Sequence, residues 1–192
     1  RVPVSRWSMD EVAPSLPPEV AQRVSQAGFM RQAELFDNRA FSISPAEAAV
    51  MDPQQRLLLE HAASALHEAG LGRSELLGSV TGVYVGIWSP EYSEVLQHSQ
   101  AGQSVYAATA ATCSVASGRL SFVLGLHGPC VSIDTACSSG LVASHDAARA
   151  LQRRGCIAAV AAGVNMIFSR AASVACARAG MTSARGRSHT FD

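Results

Sequence analysis

Hydrophobic positions recur at a helical spacing across residues 51–70, the stretch MDPQQRLLLEHAASALHEAG. Boundary signals accompany this spacing: Asp52 suits the N-cap, Pro53 the first helical position, and Gly70 the end of the helix. Gln55 stands where the second residue of a capping box would stand. The segment therefore predicts a helix that begins at Pro53 and ends before Gly70. The apolar stripe expected on it is formed by Leu57, Leu58, Ala62, Ala65 and Leu66.

Other stretches carry β-branched, aromatic or small apolar residues without a helical period, which favours buried strands. The strands predicted in this way are 79–88, 120–125, 129–136 and 156–163. The helices predicted between them are 109–117 and 138–155. The second of these helices is closed by Arg153, Arg154 and Gly155, a basic last turn followed by a glycine. This alternation predicts an α/β domain with a largely parallel sheet.

Residues 1–35 show neither the period of a helix nor the alternation of a strand. Scattered charges and prolines interrupt the stretch, at Pro3, Pro14, Pro17 and Pro18. Because prolines punctuate regular structure, we expect an arm that wraps along the surface.

The composition suits a folded domain and excludes some classes of partner. Hydrophobic residues make up 48% of the 192 residues, which is enough for a substantial core. Charged residues make up 16%, with 15 basic against 15 acidic, so no field would attract nucleic acid or an anionic membrane. The strongly apolar run 156–168 is too short to span a bilayer. All the basic residues are arginine, which excludes a Schiff-base lysine from this segment.

The five cysteines form no C-x-x-C pair and do not resemble a disulfide framework. A reducing, intracellular and cytoplasmic location is therefore expected. The chain opens without an initiator methionine, which leaves an upstream targeting segment open. Four of the cysteines lie in apolar or helical stretches, where the expected role is that of a small, inert, buried hydrophobe. They are Cys113, Cys130, Cys156 and Cys176.

The fifth, Cys137, lies where the strand 129–136 passes directly into the helix 138–155. The positive end of a helix favours a thiolate, and the backbone N–H of Cys137 could donate to an oxyanion on an attached acyl group. Ser138, Ser139 and Gly140 are small, so a ligand could approach closely. From position alone an inert thiol stays an open alternative, because strand-to-helix turns also carry inert small residues.

Seven blocks of the sequence, which together cover nearly the whole chain, form a recognisable set. The most distinctive is DTACSSGLVASHDA, which begins at Asp134. The others are VPVSRW at residue 2, the 51–70 helix, TGVYVG at 81, SVASGRLSFVLGLHGP at 114, AAGVNMI at 161 and GRSHTFD at 186. Together these blocks resemble the β-ketoacyl synthase domain of modular polyketide synthases, and they come in the order of that family.

The resemblance implies a thiolase-like fold, in which two similar halves form α-β-α-β-α layers and the complete domain works as a homodimer. Residues 1–192 would be the N-terminal part of such a domain, with the second half absent. It also implies that Cys137 is the nucleophile that accepts an acyl chain. A malonyl-type extender would then lose carbon dioxide and attack the Cys137 thioester, in polyketide or fatty acid biosynthesis.

The resemblance also implies partners and a site. The acyl carrier protein would bring the phosphopantetheine thioester, so the segment itself would bind no cofactor and no metal. Further partners would be a second copy of the complete domain and neighbouring synthase domains such as an acyltransferase, without nucleic acid or a membrane span. Candidate substrate-binding residues around the nucleophile are Thr135, Ala136, Ser138 and Ser139.

Loss of carbon dioxide from the extender leaves an enolate, and this chain lacks the groups that stabilise it in the family. The family uses two histidines and a lysine from the second half, and this chain has no lysine and no His-Gly-Thr motif. His61 and His67 face different sides of one predicted helix, so they form no metal pair. The remaining histidines are expected to be packed, in a loop or solvated: His98, His127, His145 and His189.

Some departures from the family and some alternatives stay open. Ala110 and Cys113 stand where relatives often have glycine, which can alter acyl-chain preference. Ala40 and Ser42 replace a more usual aromatic residue and glycine.

A non-elongating ketosynthase that only binds and passes acyl chains would keep the same Cys137 block. A cysteine hydrolase is disfavoured because no protease signature surrounds Cys137. Thiolases and coenzyme A-dependent synthases share the fold, but the block 52–56 favours the carrier-protein-dependent branch.

Overall fold

The structure, a computed structural model, describes residues 2, 3, 6–88 and 90–188. His189 lies outside these residues. The chain divides into two compact units, one of residues 32–165 and one that combines residues 1–31 with 166–192. The helices are α1 Met9–Val12, α2 Pro18–Val24, α3 Pro45–Val50, α4 Pro53–Glu68, α5 Arg73–Leu76, α6 Pro90–Gln97, α7 Ala107–Ala110, α8 Cys113–Leu124, α9 Ser139–Gln152 and α10 Arg170–Arg178. The strands are β1 Thr81–Ile87, β2 Cys130–Ile133 and β3 Ala158–Val164.

The larger unit is built on a parallel sheet, as the alternating pattern predicted. Its strand order is β2-β1-β3, and both pairings are parallel. The central strand β1 is buried at all seven positions, because neighbouring strands and helices cover both its edges and both its faces.

Alternate side chains of β1 enter two different cores. Val83, Val85 and Ile87 belong to a cluster that includes buried leucines of α4 and α8. Tyr84 points to the opposite face, where it packs with Ala143 and Ala147 of α9. Successive side chains of a strand point to opposite faces, so this division follows directly from the extended backbone. The unit therefore has α4 and α8 on one side of the sheet and α9 on the other.

Helix α4 confirms the clearest helix prediction, with differences in detail. Gly70 follows the helix with a φ of 79°, a left-handed conformation that glycine adopts without strain. Leu58, Ala62 and Leu66 are buried as predicted, whereas Ala65 is exposed, Leu57 is half-buried, and Leu59 joins the core. The N-cap is Asp52, whose carboxylate accepts a bond from the Gln54 N–H at 2.8 Å.

The predicted capping box does not form. The side-chain amide of Gln55 donates to the carbonyl of Thr109 at 3.3 Å instead of returning to the helix start. The backbone N–H of Asp52, which a capping box would satisfy, donates to the carbonyl of Ala110 at 2.9 Å. Both groups therefore connect α4 to the segment that precedes α8.

The predicted strand Leu120–Gly125 is wrong, and the helix predicted at 109–117 forms with different bounds. Residues 113–124 form the single helix α8, which continues past Gly118, and the separate short helix α7 precedes it. Gly118 lies inside α8 and is not among the glycines with positive φ, so it does not mark a break. Ala116 and Leu120 are buried four positions apart, a helical spacing that the sequence interpretation overlooked.

The other predicted strands are shorter or more exposed than expected. Strand β2 ends at Ile133 instead of Ala136, and β1 spans Thr81–Ile87 within the predicted 79–88. Strand β3 forms, but Val160 is the single buried residue among its described positions, so the expectation of a buried strand is wrong. The physical reason is its place at an edge of the three-stranded sheet.

The smaller unit corrects the expectation of an arm without regular structure. Helices α1 and α2 lie within residues 1–35, and α2 packs against α10 through Val20, Val24 and Ala177. Pro18, taken as a breaker, occupies the first turn of α2, where its missing N–H costs nothing. Short helices of this kind carry too few turns to show a sustained period.

Candidate functional site

The start of α9 lies directly against the sheet because β1 carries a glycine there. A Cβ built on Gly86 would come within 2.7 Å of the Ser139 carbonyl carbon and of the Gly140 nitrogen. Gly163 is the register partner of Gly86 on β3. A Cβ built on Gly163 would have the Cα of Gly140 as its nearest neighbour, at 3.6 Å. Only a glycine at position 86 lets the backbone of α9 approach this closely.

Cys137 lies in the middle of the turn that joins β2 to α9. The strand ends at Ile133, residues 136–138 form one 3₁₀ turn, and α9 begins at Ser139. The helix was predicted from 138 to 155 and spans 139–152, with Arg154 in the left-handed conformation at φ 58° beyond its end. The sequence placed Cys137 at the junction correctly, but missed the separate turn that holds it.

Side chains hold the backbone of this turn. The carboxylate of Asp134 accepts a bond from the Ala136 N–H at 3.0 Å. The hydroxyl of Ser139 accepts from the Thr135 N–H at 2.8 Å and donates to the Ala136 carbonyl at 2.7 Å. The Ser138 hydroxyl lies 2.8 Å from the Thr135 carbonyl and 2.9 Å from its Oγ1. Short polar side chains thus replace the bonds that a strand or helix would supply.

Ala136 adopts a φ of 55°, a left-handed conformation that is uncommon for a residue with a Cβ. Within residues 135–139, the N–H groups of Thr135, Ala136, Ser138 and Ser139 all have acceptors. Among the described residues, the backbone N–H of Cys137 has no hydrogen-bond acceptor. The thiol belongs to an exposed residue. A reacting group could therefore reach both the sulfur and an unused backbone donor.

The predicted substrate-binding residues surround Cys137 in different environments. Thr135, Ala136 and Ser138 are exposed, whereas Ser139 is buried and its hydroxyl is engaged by the turn itself. Their role in binding substrate stays a prediction. Asp134 was not among the predicted residues, although an aspartate two positions before a turn residue is a recognisable signal for a side-chain cap.

The other cysteines partly correct the expectation of buried thiols. All five are free, but only Cys156 is buried; Cys113 and Cys176 are half-buried and Cys130 is exposed. Cys130 lies on β2, an edge strand of the described sheet, which explains its exposure. Among these thiols, Cys137 is distinguished by its turn and not by exposure alone.

A cavity of about 280 Å³ lies beside the end of β2. Its lining includes Ile87, Cys113, Cys130, Ile133 and Asp134, together with a pair of serines. These serines, Ser117 and Ser132, are joined by their hydroxyls at 2.8 Å. The walls are thus mixed in polarity, and Asp134 links the cavity to the Cys137 turn.

The block 52–56 has a structural role. The guanidinium of Arg119 on α8 forms an ion pair with Glu47 and donates to the side-chain oxygen of Gln55 at 2.8 Å. Gln55 in turn donates to the Thr109 carbonyl. These bonds join α3, α4, α8 and the segment before α8. The positions that depart from the family pattern, Ala110 and Cys113, lie in or beside that segment.

The histidines within the described residues do not approach a shared site. His61, His67, His98, His127 and His145 are all exposed. No three His, Cys, Asp or Glu side chains gather as a metal site within residues 2–3, 6–88 and 90–188. Across the same residues, none of the helices has the length and hydropathy required to cross a membrane.

Comparisons with known proteins agree on one family. The family described as "Beta-ketoacyl synthase, N-terminal domain" matches residues 1–192. The chain is 38% identical to the mycocerosic acid synthase-like polyketide synthase of Mycolicibacterium smegmatis, covering 100% of this chain and 9% of that protein. It is 43% identical to spectinabilin polyketide synthase system protein NorC of Streptomyces orinoci, over 88% of this chain and 8% of that protein.

The ketosynthase from module 6 of the bacillaene synthase of Bacillus subtilis 168 has a similar structure. The match has a TM-score of 0.83 at 33% identity and covers 97% of this chain and 30% of that one. It confirms the thiolase-like fold expected from the resemblance. The chain thus spans less than a tenth of these two polyketide synthases and about a third of the solved ketosynthase.

Proposed function

The chain belongs to the β-ketoacyl synthase family, and from this premise we propose that it supplies the nucleophile of a polyketide-synthase ketosynthase, with Cys137 as acyl acceptor. One observation carries the proposal. Cys137 is exposed in a turn where every neighbouring N–H from Thr135 to Ser139 is engaged and its own is not. This arrangement presents a sulfur and an oxyanion donor from the same residue.

The first step of the proposed reaction is acyl transfer between two sulfurs. The Cys137 thiolate attacks the carbonyl carbon of an acyl thioester on the phosphopantetheine of an acyl carrier protein. The C–S bond to Cys137 forms, and the oxyanion of the tetrahedral intermediate accepts the Cys137 N–H. The carbonyl then re-forms as the bond to pantetheine breaks, and the pantetheine thiolate leaves and takes up a proton.

The second step forms the carbon–carbon bond. A malonyl-type thioester on a carrier protein loses carbon dioxide, and the enolate carbon attacks the Cys137 thioester. The Cys137 thiolate leaves as the β-ketoacyl product forms. In this proposal the groups that stabilise the enolate come from outside residues 1–192, because the chain has no lysine and no His-Gly-Thr motif.

The free edge of the sheet supports a homodimer as part of the proposal. Strand β2 pairs with β1 on one side, and no described strand pairs with its other side. Residues Cys130 and Val131 are exposed there. Unpaired strand edges present backbone groups that a second copy can bind.

The other proposed partners are an acyl carrier protein and neighbouring synthase domains. The free state of all five thiols supports a reducing intracellular location.

The experiment that tests the proposal follows acyl mass on the protein. The full-length protein that carries this chain is incubated with butyryl-pantetheine, digested and examined by mass spectrometry. We expect the butyryl group on the peptide that contains Cys137, and none in Cys137→Ala. Cys130→Ser, which changes another exposed thiol seven positions upstream, is the matched control and should load normally. A wild-type protein that gains no acyl mass would refute the proposal.

A second stage separates condensation from simple acyl passage. The butyrylated protein is given malonyl-loaded acyl carrier protein, and the carrier is examined for a 3-ketohexanoyl group with release of carbon dioxide. Product formation supports an elongating ketosynthase. Loading without product would favour the non-elongating alternative.

A further inference from the structure

The geometry points to Ser139 as a positioning residue whose hydroxyl aims the Cys137 N–H at the oxyanion of the acyl-transfer intermediate. The inference rests on the proposed acyl transfer to Cys137. Ser139 itself touches no reacting atom in this scheme. It acts through the peptide group that joins Ala136 to Cys137.

That peptide group connects the Ser139 hydroxyl to the oxyanion donor. The Ala136 carbonyl and the Cys137 N–H belong to one planar, trans peptide unit, so they point in opposite directions. The Ala136 carbonyl accepts two bonds from Ser139, one from the hydroxyl at 2.7 Å and one from the backbone N–H. Because the carbonyl is held toward Ser139, the Cys137 N–H is held so that it points away from Ser139.

The hydroxyl of Ser139 also has a second attachment in the same turn. It accepts the Thr135 N–H at 2.8 Å, on the other side of the left-handed residue Ala136. One buried side chain, 8% exposed, thus bridges the backbone before and after Ala136. Because an alanine reverts readily to negative φ, this bridge maintains the unusual peptide orientation together with the Asp134 carboxylate, which accepts the Ala136 N–H. The backbone of Ser139 is in turn held against the sheet at Gly86.

Removing the hydroxyl leaves one of the two bonds to the Ala136 carbonyl and none to the Thr135 N–H. The peptide plane then gains freedom to rotate, and the Cys137 N–H spends less time in a productive direction. The sulfur is on the side chain of Cys137 and depends much less on this peptide plane. Loss of the hydroxyl should consequently impair reactions that develop an oxyanion, and spare reactions of the sulfur that do not.

Two reactions of Cys137 distinguish these cases in the full-length protein. Acylation by butyryl-pantetheine passes through a tetrahedral oxyanion. Alkylation by iodoacetamide is a displacement at a saturated carbon in which iodide leaves, and it develops no oxyanion. In Ser139→Ala we expect acylation to slow by about 10- to 100-fold, less than the roughly 100- to 1,000-fold lost when an oxyanion donor is removed, because the Cys137 N–H is still present. Alkylation should stay within about threefold of wild type across pH 6–9, since the donor plays no part in that reaction.

The matched control is Ser144→Ala, which removes another hydroxyl from the same helix. The Ser144 hydroxyl is exposed and donates to the Gly140 carbonyl at 2.8 Å, away from the turn. Both reactions should proceed in this variant as in wild type. Ser139→Thr and Ser139→Val give a second comparison, because threonine and valine have the same shape and only threonine carries a hydroxyl. We expect acylation of Cys137 to proceed in the threonine variant and to be impaired in the valine variant. This pair keeps the test decisive if Ser139→Ala fails to fold.

Three results would overturn the inference. Acylation in Ser139→Ala could match wild type, or alkylation could fall as far as acylation, or the threonine and valine variants could behave alike. In each case a wild-type protein that acylates Cys137 would leave the proposed function intact. A wild-type protein that never acylates Cys137 would overturn both.

Discussion

The close approach of α9 to β1 makes Gly86→Ala the sharpest perturbation of the site. A Cβ at this position would lie 2.7 Å from the Ser139 carbonyl carbon and 2.9 Å from its oxygen. Comfortable carbon–carbon contact begins at about 3.5 Å, so the start of α9 must retreat by roughly 0.8 Å. The neighbours are backbone atoms, which cannot rotate away as a side chain could. We therefore expect a loss of about 1–3 kcal/mol in the free energy of unfolding.

The same displacement should reach Cys137, two residues before the contact. Because a shift near 1 Å in a reacting group can cost about 100-fold in rate, acylation by butyryl-pantetheine should fall by one to two orders of magnitude. Urea unfolding and acylation kinetics of the ketosynthase domain that contains this chain would measure both effects.

The matched control is Gly163→Ala on the neighbouring strand. Gly163 is the register partner of Gly86, but a Cβ there would meet its nearest atom at an ordinary 3.6 Å. This variant should change the free energy of unfolding by less than about 1 kcal/mol, since volume changes without overlap are tolerated. Equal effects of the two substitutions, or no effect of Gly86→Ala on either measurement, would refute the packing argument.

Three further predictions concern stability, each measured on the same domain. Arg154→Gly and Ser42→Gly should each raise the urea midpoint, because these residues hold φ values of 58° and 54° that cost about 1 kcal/mol in residues other than glycine; a lowered midpoint would contradict this. Arg119→Ala should cost about 1–3 kcal/mol, since it removes the ion pair to Glu47 and the bond to Gln55 in a partly buried site, where the two charged side chains are 9% and 25% exposed. Calorimetry showing a change under about 0.5 kcal/mol would reject that value. Burial raises the pKa of Tyr92 above its ordinary value, so its contribution to stability is complete below about pH 10 and is lost as the pH rises further. Tyr92→Phe should therefore flatten the alkaline fall in melting temperature, and identical slopes would argue against it.

The prediction of regular elements succeeded where several local signals agreed. Helix α4 combines an N-cap, a proline at its first position, an apolar period and a terminal glycine, and all four mark the same boundaries. Strand β1 was recognisable because its residues are apolar on both faces, as a central parallel strand requires.

Prediction failed where a single residue was taken as decisive. The helix predicted at 109–117 stopped before Gly118, and Pro18 was taken to interrupt regular structure, yet α8 passes through Gly118 and α2 begins with Pro18. A glycine in a helix costs only about 1 kcal/mol, which packing of the buried Ala116 and Leu120 against the core readily exceeds. Tertiary contacts therefore overrode a weak local preference.

The end of β2 shows the same limit at the candidate site. The strand was predicted to continue to Ala136, but the register with β1 ends where Ile133 meets Gly86. Beyond that point no described strand supplies backbone partners, so the side chains of Asp134 and Ser139 take over. A pattern of apolar residues cannot show where a neighbouring strand stops.

The amino-acid sequence was sufficient to identify the family, the parallel α/β class and Cys137 as the candidate nucleophile. These follow from residue types and spacings that are local along the chain, and such signals survive without any knowledge of contacts. The orientation of the Cys137 N–H was decided only by the folded structure. It depends on a glycine on β1 that admits the backbone of α9, and on a buried hydroxyl that holds one peptide plane. Those groups meet only after the sheet has formed, because the chain between Gly86 and Ser139 must first fold back on itself.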